Sequence, residues 1–140
     1  MVIRNAKKYD AATLARLAGE LGYPTTTAKM KRRLEKLLSN IDHAIFVAEL
    51  DAVVGWIHVS VVQSLESDQF AEIHGLVVTE AHRNSGIGTQ LIAKAEIWAQ
   101  KKRCRRIRVR TNIKRERTRQ FYKILGYTVS KTQEVFDKQI

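Results

Sequence analysis

The stretch Leu76-Val77-Val78-Thr79-Glu80-Ala81-His82-Arg83-Asn84-Ser85-Gly86-Ile87-Gly88-Thr89 carries the most chemistry in this 140-residue chain. An apolar, β-branched run leads into a polar loop, and glycines at 86 and 88 open a helix. The first amides of a helix lack partners within it, and the macrodipole places partial positive charge beside them. Glycine lets a polyanion come close to that backbone, and Arg83 can add a charged fork, so the stretch reads as a seat for a phosphate or pyrophosphate. A Rossmann fingerprint would need a third glycine, and a Walker loop a lysine before Thr89; both are missing. The reading without chemistry is that the two glycines only relieve crowding where helix meets strand.

A second chemical feature is charge. The chain has 25 Lys and Arg against 14 Asp and Glu, a net +11. Residues 101–119 hold eleven bases and one acid, Glu116, so nearly all of the excess is one local patch. Such a patch raises nucleic-acid binding, yet 101–119 contains no Phe, Tyr or Trp to stack on bases, so nucleic acid is an unlikely primary partner. Arg106, Arg108 and Arg110 alternate with Ile107 and Val109, which places three arginines on one face of an expected interior strand. That is costly unless the face is wet or paired. Attraction of an anionic ligand, a subunit contact, a nucleic-acid dock and plain solubilising charge all remain open for it. The lone Cys104 excludes an internal disulfide and is compatible with a reducing cytoplasm. His43, His58, His74 and His82 form no i,i+4 helical pair, so no metal is expected.

The elements that hold these residues follow from periodicity. Val2-Ile3-Arg4 reads as a strand, and Asp10 as the N-cap of a helix ending at Gly19 or Gly22. After Pro24, Thr25–Thr27 can cap a helix whose apolar stripe is Met30, Leu34, Leu37 and Leu38. Ala44–Leu50 and Val53–Val62 read as a hairpin joined at Asp51-Ala52, and Phe70–Thr79 as a further strand. A helix is expected from about Gly86 to Lys102, with Ile87, Leu91, Ala95 and Trp98 on one stripe. Ile107–Thr111 is a strand, and Arg115–Leu125 a helix stopped by Gly126; Tyr127–Ser130 and Glu134–Phe136 can supply a last hairpin. The order β-α-α-β-β-β-α-β-α-β-β predicts an α/β domain with a mixed, mostly antiparallel sheet and helices on both faces. With 44% hydrophobic and 28% charged residues and no linker, one domain spanning 1–140 is expected. No apolar run approaches the roughly 18 residues of a membrane span, and the first residues lack a signal-peptide layout, so a cytoplasmic protein without a membrane partner is expected.

Arg83-Asn84-Ser85-Gly86-Ile87-Gly88 resembles the R/Q-x-x-G-x-G/A motif of the GCN5-related N-acetyltransferase (GNAT) superfamily. Residues 119–127, Arg-Gln-Phe-Tyr-Lys-Ile-Leu-Gly-Tyr, resemble its F-Y-x-x-L-G-F/Y element, and the inferred element order agrees from residue 2 to 136. The resemblance implies an acyl-CoA N-acyltransferase fold and acetyl-CoA as co-substrate. It implies that the pantetheine arm pairs with the backbone of Leu76, Val77 and Val78. The pyrophosphate would lie on the loop of Arg83, Asn84, Ser85, Gly86, Ile87, Gly88 and Thr89, and Asn112 would touch the pantetheine. The family often has a second Asn three residues on, where this chain has Arg115, and a small Ala where it has Thr118.

The implied reaction is direct transfer of acetyl from a thioester to a primary amine of a small molecule, peptide or protein. It requires in-line positioning, loss of a proton from the amine, and stabilisation of the oxyanion and thiolate. By resemblance Tyr122 is the acid for the sulfur and Glu72 the general base, with a pKa expected to be raised beside a buried strand. His74 is the reserve base and the Leu76 amide the oxyanion donor. Glu20, Glu66, Asp68 and Glu72 are expected to form an acidic lip for a cationic amine. A homodimer is a further expectation of the family. The competing function is a non-catalytic acyl-CoA-binding or nucleic-acid-binding module using the basic 101–119 patch.

Overall fold

In the computed structural model, which describes residues 1–140, the chain folds as two units, Met1–Arg110 and Thr111–Ile140. The first runs β1 (Val2–Asn5), α1 (Ala11–Leu21), α2 (Thr27–Leu38), β2 (His43–Glu49), β3 (Val53–Val62), β4 (Phe70–Val78), α3 (Ile87–Lys101) and β5 (Ile107–Val109). The strands form one sheet in the order β1-β2-β3-β4-β5, antiparallel throughout except for the parallel β4–β5 pair. β5 is therefore an edge strand and not the interior one expected.

Alternation along the strands gives the sheet two apolar faces. Ile45, Val47, Val53 and Val77 pack with Leu14 and Leu17 of α1 and Leu34 of α2. The opposite face carries α3, which meets β2, β3 and β4 and buries Leu91, Ile92, Ala95 and Ala99. The helical stripes were legible, but Leu38 is exposed and Trp98 only half-buried, because the apolar stripe of each helix is narrower than the pattern suggested.

Asp10 departs from its expected role. Its side chain does not cap α1; it accepts from the Lys7 amide at 2.8 Å and takes both guanidinium nitrogens of Arg4 at 2.9 Å. The carboxylate is 5% exposed. Burial pushes its pKa up, but the Arg4 and Lys7 hydrogen bonds outweigh that and hold it below the usual carboxylate range.

The hairpin turn at residues 50–52 forms as expected, with a bulge at Ala48/Glu49. A second bulge shapes the site. His58 pairs with Gly75 and Val59 with Ile73, leaving His74 as the extra residue of β4.

The second unit contains α4 (Glu116–Ile124). Gly126, at a left-handed φ of 94°, ends it; its amide reaches Lys123 O and the Tyr127 amide reaches Tyr122 O, both at 3.0 Å, a Schellman pair. The hairpin expected from Tyr127–Ser130 and Glu134–Phe136 is absent: residues 127–140 form no strand. Val129, Val135 and Phe136 are exposed, and an isolated two-stranded hairpin that buries neither face is marginal at best.

Candidate active site

β5 pairs with β4 only at Ala71–Ile73. From His74 to Val78, β4 has β3 on one side and no strand on the other. The Thr79 amide donates to Val54 O on β3 at 2.8 Å, and the Ala71 amide to Arg106 O beside β5 at 2.9 Å. Strand alternation then turns the amides of Leu76 and Val78 to the open side. Without the extra residue at 74, the opposite parity would face that edge. The bulge thus turns the Leu76 main chain and the Val78 amide to an open edge, within the stretch Leu76–Val78 expected to pair with a pantetheine arm.

The edge runs into the glycine loop. Asn84 and Gly86 have left-handed φ of 63° and 85°, and Gly86 is the N-cap of α3. The first intrahelical bond is from the Gln90 amide to Gly86 O, so the amides of Ile87, Gly88 and Thr89 begin the helix without partners along it. Ser85 Oγ donates to His82 O. Arg83 is used differently from the expected phosphate fork: Nε donates to Val78 O at 2.9 Å, and Nη2 lies 3.5 Å from Glu20 Oε1.

Glu20 is the anchor that the sequence reading missed. Its carboxylate accepts from Thr79 Oγ1 at 2.9 Å and from the Glu80 amide at 3.0 Å, fastening the end of α1 to the loop. Burial raises its pKa, and those hydrogen bonds with Arg16 and Arg83 more than offset it, so the net shift is downward. The contact spans 59 positions, with no local signal to announce it.

Glu72 is also committed. Its Oε1 accepts from Arg108 at 2.8 Å and Arg110 at 3.2 Å, while the guanidinium carbons of Arg106 and Arg108 stand 4.2 and 4.4 Å from the Phe70 ring centroid. Burial pushes the Glu72 pKa up, yet the two arginines hold it below the ordinary value, the reverse of the expected shift. The arginine face of β5 is paired, which is how the sheet tolerates it. With Glu20 and Glu72 both engaged, the expected four-carboxylate acidic lip does not form; Glu66 and Asp68 lie in an exposed loop.

His74 shares the Glu72 face, as expected, with Nδ1 3.9 Å from Glu72 Oε2 and Nε2 2.6 Å from the buried Ser60 Oγ. His58 stacks on it at 4.6 Å between centroids, and His43 Nδ1 lies 2.9 Å from His58 Nε2. Burial, reinforced by the other two imidazoles, takes His58 down to about 3. Burial also lowers His74, with Glu72 opposing the shift. These three residues come from different strands, 15 and 16 positions apart, so helical spacing could not reveal them; only strand alternation carried a signal.

A cavity of about 240 Å³ lies between the sheet and helices α1 and α2. Its walls include Leu14, Leu21, Met30, Leu37, Trp56, His58 and His74. Arg33 is the one Lys or Arg among the lining residues, and no carboxylate lines it. Gly75 leaves room for the indole, since a Cβ there would sit 3.0 Å from the Trp56 ring. His74 therefore joins the two features, its side chain in the cavity wall and its backbone at the open edge.

In the second unit, Asn112 Oδ1 accepts from the Lys114 amide at 2.9 Å in a turn before α4. Tyr122 is buried, with Phe121 and Tyr127 edge-on at 5.1 and 5.4 Å, and burial pushes its phenol up to about 12. Cys104 is buried with its thiol pKa raised, the opposite of an activated nucleophile. No helix is long and apolar enough to cross a membrane.

Comparison with known proteins gives this geometry a context. An uncharacterized N-acetyltransferase of Chlorobaculum tepidum is 34% identical over 95 residues, 67% of this chain and 57% of that protein. The chain thus spans little more than half the length of that relative. Aminoglycoside N(6′)-acetyltransferase type 1 of Acinetobacter haemolyticus is 28% identical over 105 residues, 75% of this chain and 70% of that one. Among solved structures, AAC(6′)-Iy in complex with the bisubstrate analogue CoA-S-monomethyl-acetylneamine superposes with a TM-score of 0.87, at 22% identity and over 99% of this chain and 98% of that one. That likeness establishes the acyl-CoA N-acyltransferase fold. The sequence model of the acetyltransferase (GNAT) family matches residues 11–127, taking in α1, the bulged β4, the glycine loop and α4, and the chain belongs to that family.

Proposed function

We propose that this protein transfers an acetyl group from acetyl-CoA directly to a primary amine. The observation that carries the reading is the open edge of β4 running into the Gly86 loop: the Leu76 main chain and the Val78 amide face the side where an extended arm can lie along Leu76, Val77 and Val78, and helix-start amides follow where a diphosphate can rest. Arg83, Asn84, Ser85, Gly86, Ile87, Gly88 and Thr89 form the diphosphate seat, Arg83 by fixing the loop to Val78 O. Asn112 belongs to the same coenzyme site by resemblance. The Leu76 amide, turned to the open side, stabilises the oxyanion. Tyr122 protonates the departing sulfur, a role supported by a phenol that stays protonated at neutral pH.

For the base we favour His74 over Glu72. Glu72 is held by two arginines, whereas His74 lines the cavity and has the Glu72 carboxylate behind it to orient the ring. The acceptor we infer is an amine with an apolar body, because the cavity has apolar walls and no carboxylate to meet a polycation. The curated relative's name makes an aminoglycoside the second reading. We take residues 1–140 as one domain, supported by a family match that crosses both units, acting in the cytoplasm and as a homodimer.

Free-thiol release from acetyl-CoA with an arylalkylamine, an aminoglycoside and a lysine peptide tests the reading. Release with the arylalkylamine, and acetyl on its nitrogen by mass spectrometry, is expected. Release with the aminoglycoside alone would replace the acceptor class. No release with any amine, while acetyl-CoA still raises the melting temperature, would favour an acyl-CoA-binding module.

A further inference from the structure

We propose that His43, His58 and His74 form a binding site for a single borderline divalent metal ion of the Zn2+ type. Three adjacent strands deliver the imidazoles to one face: His43 from the start of β2, His58 from the middle of β3, and His74 from the bulge of β4. One nitrogen of each lies within 4.8 Å of the other two, and the His43–His58 pair is already at 2.9 Å. Ligand nitrogens around a tetrahedral Zn2+, each about 2.0–2.1 Å from the ion, stand roughly 3.4 Å apart. Closing the cluster therefore takes side-chain movements of up to about 1.4 Å.

The surroundings suit a metal better than they suit three idle histidines. His58 stands between the other two imidazoles, its ring centroid 5.2 Å from that of His43 and 4.6 Å from that of His74. Glu72 Oε2 sits 3.9 Å from His74 Nδ1, too far for a hydrogen bond as it stands but on the side from which a carboxylate would accept the N–H of a ring whose other nitrogen holds a metal. Ser60 Oγ, 2.6 Å from His74 Nε2, would give up that nitrogen to the ion. Three protein ligands leave one position of a tetrahedron for water or for a group in the cavity that His58 and His74 line. On the transfer reading above, on which this consequence alone rests, an ion here takes the lone pair of the proposed base and halts transfer.

Untagged full-length protein, stripped with EDTA, is titrated with Zn2+ by calorimetry and with Co2+ by visible absorption, with no acetyl-CoA or amine present. One equivalent of Zn2+ and the strong visible band of four-coordinate Co2+ are expected. His43→Gln and His58→Gln should each weaken Zn2+ at least tenfold, and His82→Gln should bind like the parent. The proposal is overturned by a Co2+ spectrum no different from the aqueous ion, or by absent saturable binding. A folded His43→Gln protein with parental affinity also ends it, so the test survives if His58→Gln does not fold. Because no step uses the coenzyme, a negative result leaves acetyl transfer standing, and a failure of acetyl transfer leaves the metal titration intact.

Discussion

Glu72 shows how much of a functional residue is written locally. Its type and face follow from position on an alternating strand, but its electrostatics come from Arg108 and Arg110, 36 and 38 positions away. With both arginines on the carboxylate, the proposed transfer assigns proton acceptance to His74. His74→Gln should lower kcat about 100-fold, the usual share of general-base catalysis, while acetyl-CoA affinity measured by thermal shift stays within about twofold. An unchanged kcat would return the base to Glu72 or to water. Tyr122→Phe keeps both edge-on ring contacts and removes only the hydroxyl. It should cost about 10- to 100-fold in kcat with little change in coenzyme affinity, and a parental kcat would remove Tyr122 from the chemistry.

Caps and turns are the features best read from sequence among the elements, because their signals are local: Thr26 caps α2, Gly126 ends α4, and residues 50–52 close the β2–β3 hairpin. Where a long-range partner competes, the local signal fails, as at Asp10, which Arg4 and the Lys7 amide claim before α1 can. Asp10→Asn should destabilise by about 3 kcal/mol, since it leaves Arg4 facing a neutral partner in a largely buried pair. The Asp10 pKa is lower folded than unfolded, so its stabilisation is present above about pH 3.9 and lost as pH falls through the folded value. Denaturant melts from pH 7 down to pH 3 should show a shallower loss for Asp10→Asn than for the parent. At the end of α3 a non-glycine residue, Arg103, holds a left-handed φ of 66° while the Cys104 amide reaches back to Ala99 O. Arg103→Gly should raise stability by about 0.5–1 kcal/mol, the relief of that strain less glycine's greater freedom in the unfolded chain. A lower melting temperature would mean that the Arg103 side chain contributes more than its backbone costs.

For the whole molecule, the net charge of +11 and the Gly86 loop both favour the anionic coenzyme of the proposed function. Acetyl-CoA at 100 times its Kd should add about 2.7 kcal/mol of stability, and the affinity should weaken as salt is raised from 50 to 500 mM. No stabilisation at any salt concentration would remove the coenzyme from the proposal. The sequence by itself determined the element order through β5 and α4, the two apolar sheet faces and the glycine loop that opens α3, since each depends on residue spacing within one element or one turn. It also suggested a terminal hairpin that residues 127–140 do not form, because strand pattern says nothing about whether an edge is there to receive it. Only the tertiary structure decided that Glu20 fastens the loop, that Glu72 is neutralised by β5, that the arginine face is an edge, and that three histidines meet. Those outcomes rest on pairing between strands and on one extra residue at His74, and a contact made across the sheet leaves no periodic trace in the chain that makes it.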